Sequence, residues 1–108
     1  MKLDVMRIKR LLHEIEEAVE VLEKAISIPE KNFLDNITLR YAVRYALIRI
    51  VEASAVIGTH ILESEYDLVP ESYGEVFILL SRVGVLNHST ALNMKRLVGL
   101  RNLLVHRY

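Results

Sequence analysis

From Asp4 to Ser27 the chain places Ile8, Leu11, Leu12, Ile15, Val19, Leu22 and Ile26 at steps of three and four. That spacing puts apolar side chains on one side of an α-helix. Asp4 is a candidate N-cap, because its short carboxylate can accept from the first free backbone N–H groups. Glu20 and Lys24 form an i,i+4 pair in the favourable order away from that face. Pro29 ends the segment, since its ring blocks continuation and restricts the residue before it.

A second helix is predicted over Ile37 to Glu63, capped by Asp35 or Asn36. It carries two apolar stripes. Val43, Ala46, Leu47, Ile50, Ser54, Ile57 and Ile61 form the first, and Ile48, Val51, Ala55 and Leu62 form another about 100° further round the axis. A helix wetted on one side needs a single stripe, so the second requires cover from the same chain or from a partner subunit. Glu65 to Glu71, with Pro70, reads as a loop. Ser72-Tyr73-Gly74-Glu75 is a capping box opening a short helix through Phe77, Leu79 and Leu80, with Gly84 as terminator. A last helix starts near Asn87–Thr90 and runs past Leu92, Met94, Leu97 and Val98 to the C-terminal segment, with Gly99 as a point of possible bending. No run alternates as a strand does. The pattern predicts an all-α, up-down bundle of four to five helices.

Composition narrows the picture. At 108 residues the chain is read as one domain, 52% hydrophobic, with only four Gly and two Pro. With no Cys there is no disulfide framework, thiolate metal cluster or cysteine nucleophile. Arg44, Arg49 and Glu52 interrupt the most apolar stretch, Tyr41 to Leu62, leaving too short an uncharged run to cross a bilayer. The start, Met1-Lys2-Leu3-Asp4, lacks the pattern of a secretory signal. A soluble, cytoplasmic protein without membrane contact is expected.

Charge is balanced overall but not along the chain. Every acidic residue lies at or before Glu75, whereas Arg82, Lys95, Arg96, Arg101 and Arg107 follow it. Such a segment either faces a polyanion or pairs with the acidic Glu63–Glu75 region. No Walker-type loop, G-x-S-x-G elbow or H-E-x-x-H is present. His60 and Glu63, a helical turn apart, are a conceivable metal pair, although a histidine so placed more often meets a backbone partner. His13 reads as solvated and His88 as local to a helix start. Tyr41, Tyr45, Tyr66 and Tyr73 read as core edges rather than base-stacking platforms. No cofactor is implied.

The end of the chain holds the most coherent chemistry. Arg101 and His106 form an R-x-x-x-x-H pair, followed by Arg107 and Tyr108, with Asn102 next to the arginine. Cleaving RNA without a metal needs a base for the 2′-hydroxyl proton, an acid for the leaving oxygen and a cation for the phosphorane charge. Histidine serves as base or acid near neutral pH, and arginine offers a permanently charged fork for phosphate oxygens. Asn102 is placed to orient the imidazole or donate to phosphate. Five residues of helix turn about 140°, so the two side chains do not share a face. They meet if the last turn unwinds, or if two copies of the helix face each other across a two-fold axis. The plain alternative is a surface Arg ion pair and a histidine favoured by a helix C-terminus.

The run Arg101-Asn102-Leu103-Leu104-Val105-His106-Arg107-Tyr108 resembles the motif of the HepT family of HEPN-domain toxins. The likeness extends to Pro70-Glu71-Ser72-Tyr73 with Val76-Phe77, to Gly84-Val85-Leu86, and to the helix from Ile50 to Leu62 with its Ile57-Gly58-Thr59-His60. The resemblance implies a single HEPN domain over residues 1–108, a helical homodimer, and a cleft where both motifs converge. It implies metal-independent endoribonuclease activity with Arg101 and His106 catalytic, and Asn102 and Arg107 assisting or contacting RNA. It also implies a partner, a nucleotidyltransferase antitoxin of the MNT type that transfers AMP to the motif tyrosine, here Tyr108. A non-catalytic module that binds nucleotides or the nucleotidyltransferase is the alternative.

Overall fold

The computed structural model describes residues 3–106, which form five helices and, among these residues, no strand. They are α1 (Val5–Ile26), α2 (Glu30–Leu34), α3 (Ile37–Tyr66), α4 (Tyr73–Arg82) and α5 (His88–His106). The all-α expectation holds. Helix starts follow the polar side chains that precede them. Asp4 accepts from the Arg7 N–H at 3.1 Å, Asn36 from Leu39 at 3.0 Å and Asn87 from Thr90 at 2.8 Å. At α4 the Ser72 hydroxyl accepts from the Glu75 N–H at 3.2 Å. The Glu75 carboxylate reaches back one residue further than a capping box requires, to the Glu71 N–H at 3.0 Å.

Two elements differ from the sequence reading. The five-residue α2 was not expected, and α3 continues to Tyr66 instead of ending at Glu63. Asp67 then takes a left-handed conformation (φ 54°), a role more often given to glycine but tolerated by aspartate. Gly84, at φ 84°, turns the chain after α4 as expected. α5 is continuous through Gly99.

α3 is the spine. Thirty residues of helix span about 45 Å, close to the 47 Å long axis of the molecule. α1 packs on one side of it and α4 with α5 on another. The core proper unites Val51, Ala55 and Leu62 of α3 with Val76, Phe77 and Leu80 of α4 and Ala91 and Val98 of α5. The second α3 stripe is therefore the most buried and is covered within the same chain. In the first stripe only Ala46 is buried; Val43, Leu47, Ile50, Ile57 and Ile61 are half-buried. Of these, Ile61 packs against the core cluster.

α1 is also turned from its expected seat. Ala18 is its one buried residue, with Ile8, Leu11, Ile15 and Leu22 half-buried, whereas Leu12, Val19 and Ile26 are exposed. A helix resting on a single neighbour hides only a narrow seam, so part of its apolar stripe stays outside. Tyr41 and Tyr45 are likewise exposed rather than at a core edge.

One 18-residue window of α3 reaches a mean hydropathy of 1.4, within the range of a membrane span by length and composition. In the fold this helix is instead the element on which the others pack, and its Arg49 and Glu52 are ion-paired.

The contact between α3 and α4 depends on Gly58. A Cβ at that position would lie 2.5 Å from Val76 Cγ1 and 2.8 Å from Leu80 Cδ1. Gly58→Ala gains about 1 kcal/mol of helix propensity. It incurs overpacking of about 1–3 kcal/mol in a core with little room to yield. Net destabilisation of about 1 kcal/mol is expected, lowering Tm by about 4–8 °C in thermal unfolding. An unchanged or raised Tm would show that α4 is free to shift.

Candidate active site

α5 sets the geometry of the terminal motif. Ala91, Met94 and Val98 form its inward seam, with Ala91 and Val98 buried and Met94 packed against the core. The next position at helical spacing is Arg101, so the arginine points along the inward face and its side chain is only 15% exposed. His106, five residues on, falls about 140° away around the axis and about 7.5 Å along it. It is exposed. Within one chain the motif's two principal groups therefore sit in separate surroundings, joined by no hydrogen bond among the described residues.

Arg101 is held on three sides. Its Nη2 donates to Glu52 Oε2 at 2.6 Å, and its Nη1 donates to Asn102 Oδ1 at 3.1 Å. The guanidinium carbon lies 4.9 Å from the centre of the Tyr73 ring, within range of a cation–π contact. Nε is buried without a hydrogen-bond partner. The Ser72 N-cap that opens α4 puts Tyr73 in place, which links the local helix signal to the site. Asn102 spends its carbonyl oxygen on the arginine, not on the imidazole.

Glu52 is shared. Arg49 Nη1 lies 3.5 Å from Glu52 Oε1, and Arg49 Nη2 meets Glu14 Oε2 at 2.6 Å. The alternating row Glu14–Arg49–Glu52–Arg101 thus joins α1, α3 and α5. Neither Glu52 nor Arg49 was singled out from the sequence as part of the site. A signal was present, because charges in the middle of the most apolar helix need partners to be tolerated there.

The remaining candidates resolve locally. His60 Nε2 accepts from the Asp4 N–H at 2.7 Å, a backbone partner of the kind expected. Among the described residues no group of three or more His, Asp or Glu is arranged to hold a metal ion. His13 is exposed, 3.8 Å from Glu17, and His88 begins α5. The acidic Glu63–Glu75 segment makes no ion pair with α5 among the described residues. The Arg101–Glu52 bridge runs to α3 instead. Arg107 and Tyr108 lie outside the described residues.

A five-helix bundle whose last helix carries Arg-Asn and, four residues after the asparagine, His has the form of a HEPN domain. The chain belongs to the Ribonuclease HepT-like family, whose profile matches residues 15–108. It is 34% identical over 76 residues to the mRNA nuclease HepT of Shewanella oneidensis; the match takes in 70% of this chain. The chain spans 57% of the length of that relative. Its fold matches the tri-AMPylated Shewanella oneidensis HEPN toxin in complex with MNT antitoxin with a TM-score of 0.85 at 27% identity, over 94% of this chain and 76% of that one. A toxin–antitoxin crystal structure with AMP-PNP matches with a TM-score of 0.84 at 27% identity, over 93% and 75% of the two chains.

Proposed function

We propose that this protein is a cytoplasmic endoribonuclease, the toxin of a toxin–antitoxin pair, acting as a homodimer in which two terminal motifs share one RNA linkage. The observation that carries the reading is the anchored, half-buried Arg101 guanidinium with an exposed His106 five residues along the same helix, in a chain of the HepT-like family. Two copies of α5 facing each other supply the pair of imidazoles that one chain lacks. One His106 takes the proton of the 2′-hydroxyl as its oxygen bonds to phosphorus. The other gives a proton to the 5′-oxygen as the phosphorus–oxygen bond breaks, and the two Arg101 groups stabilise the charge on the phosphorane. The products are a 2′,3′-cyclic phosphate and a free 5′-hydroxyl, and no metal takes part. Asn102 steadies Arg101, and Arg107 adds a positive charge to the motif.

The partner in this reading is a nucleotidyltransferase of the MNT type. The Tyr108 hydroxyl attacks the α-phosphorus of ATP, pyrophosphate leaves, and AMP remains on the tyrosine. Its phosphate, two residues from His106, would occupy the cationic cleft and repel an RNA backbone. Support comes from the complexes of the solved relatives with an antitoxin and from the AMPylated state of one of them.

Incubating the purified protein with cellular RNA in EDTA tests the activity. Cleavage is expected, and it should stop after treatment with a cognate nucleotidyltransferase and ATP. Intact RNA at stoichiometric protein would instead identify a binding module. RNA affinity is also expected to fall steeply between ~50 and ~200 mM salt if the groove reads phosphates. A flat response would contradict a backbone-reading cleft.

A further inference from the structure

We propose that Glu52 is the positioning residue of the site, fixing the Arg101 guanidinium on Tyr73 so that it meets phosphate in one orientation. The proposal deepens the ribonuclease reading and rests on it for its catalytic consequence.

Glu52 stands in the middle of α3 between Val51 and Ala53, both of which are 1% exposed. Its own side chain is 27% exposed. A carboxylate there loses part of its hydration, and an apolar residue would serve helix packing at least as well. What Glu52 supplies is direction. An arginine side chain has several rotatable bonds, and a cation that wanders spreads its charge over many positions. The 2.6 Å bond from Nη2 fixes one end of the guanidinium, and the Tyr73 ring, 4.9 Å from the guanidinium carbon, lies against it. Asn102 holds Nη1. The N–H bonds left on the two Nη atoms then have set directions, the condition for electrostatic stabilisation without reorganisation during reaction.

The anchor is itself anchored. Arg49 pulls on the other oxygen of Glu52 at 3.5 Å, and Glu14 of α1 holds Arg49 at 2.6 Å. The carboxylate therefore has little freedom to swing with the arginine. Its shared charge also leaves the row of four neutral in total, so Arg101 is aimed without being surrounded by excess positive charge.

The test compares wild type, Glu52→Gln and Glu52→Ala in cleavage of a fluorogenic RNA oligonucleotide. Glu52→Ala is expected to lower kcat by about 10- to 100-fold, the scale of a small misplacement of a reacting group, with KM changed less than about threefold. Glu52→Gln, whose amide oxygen still accepts from Nη2, should recover a large part of that loss. Equal kcat in wild type and Glu52→Ala would overturn the proposal, and so would a rise in kcat for Glu52→Gln, which would mean that the carboxylate merely quenches Arg101.

A second measurement does not depend on cleavage. In nitrogen-15 NMR the Arg101 Nη groups, assigned by Arg101→Lys, should give separate signals in wild type from hindered rotation. They should merge in Glu52→Ala. Merged signals in wild type, or separate ones in Glu52→Ala, would overturn the proposal. If wild type leaves RNA intact while these signals behave as expected, the ribonuclease reading fails and the positioning of Arg101 by Glu52 stands.

Discussion

His106→Ala is expected to reduce RNA cleavage by about 10²- to 10⁴-fold, the range over which a positioned acid or base contributes. The reasoning starts from exposure. His106 is at the surface near the end of α5, so removing its ring leaves no cavity. A change of this kind alters stability by about 0.5 kcal/mol at most. Activity should therefore collapse while thermal unfolding stays put. In the proposed dimer the variant would lose both imidazoles at once, base and acid together, so the effect should lie toward the upper end of the range. Mixed dimers with one intact motif give a further check, because one histidine cannot fill both roles. Undiminished cleavage by His106→Ala in EDTA would remove the motif from the chemistry.

Leu62→Ala is expected to do the reverse. Leu62 is fully buried at 0% exposure, within the cluster where α3 meets α4 and α5. Truncation removes the transfer free energy of the lost carbons and leaves a hole that close-packed neighbours fill only in part. The cost is about 2–5 kcal/mol. Domains of this size are stable by about 5–15 kcal/mol, so the loss is a large share of the total. A urea titration should show the midpoint falling with the slope unchanged. A shift below about 1 kcal/mol would mean that α4 and α5 collapse easily onto the space left behind. Protein that remains folded should still cut RNA, since Leu62 belongs to the core cluster and not to the row of charges around Arg101.

Much of this architecture is legible in local chemistry. Asp4, Asn36, Ser72 and Asn87 each announce a helix start by a side chain that can accept one backbone bond, and the structure uses all four. Gly84 announces a stop for an equally local reason. Other features depend on the neighbours. α2 has five residues, too few for a periodicity to read. The end of α3 is not marked in the sequence, because Asp67 performs a turn for which glycine is the usual sign. Which stripe of α3 is buried deepest depends on where α4 and α5 come to rest, and no single helix contains that information.

The site divides in the same way. The pairing of Arg101 with His106 is readable as spacing, and the seam Ala91–Met94–Val98–Arg101 predicts an inward arginine once α5 is known to be regular. Its partner is 49 residues away. No spacing rule connects Glu52 to Arg101. The clue is indirect: Arg49 and Glu52 stand among apolar residues of α3, at a place where unpaired charge would be expensive.

The lopsided distribution of the core has a consequence for how this protein can change over time. α1 meets the rest of the molecule chiefly through α3 and contributes a single buried residue, whereas α3, α4 and α5 lock together around Leu62. Substitutions along the outer side of α1 are thus insulated from the packing that seats Arg101. That side is open to drift or to the acquisition of new associations while the motif-bearing half stays under constraint. Glu14, through Arg49, ties one point of α1 to the side that holds Arg101.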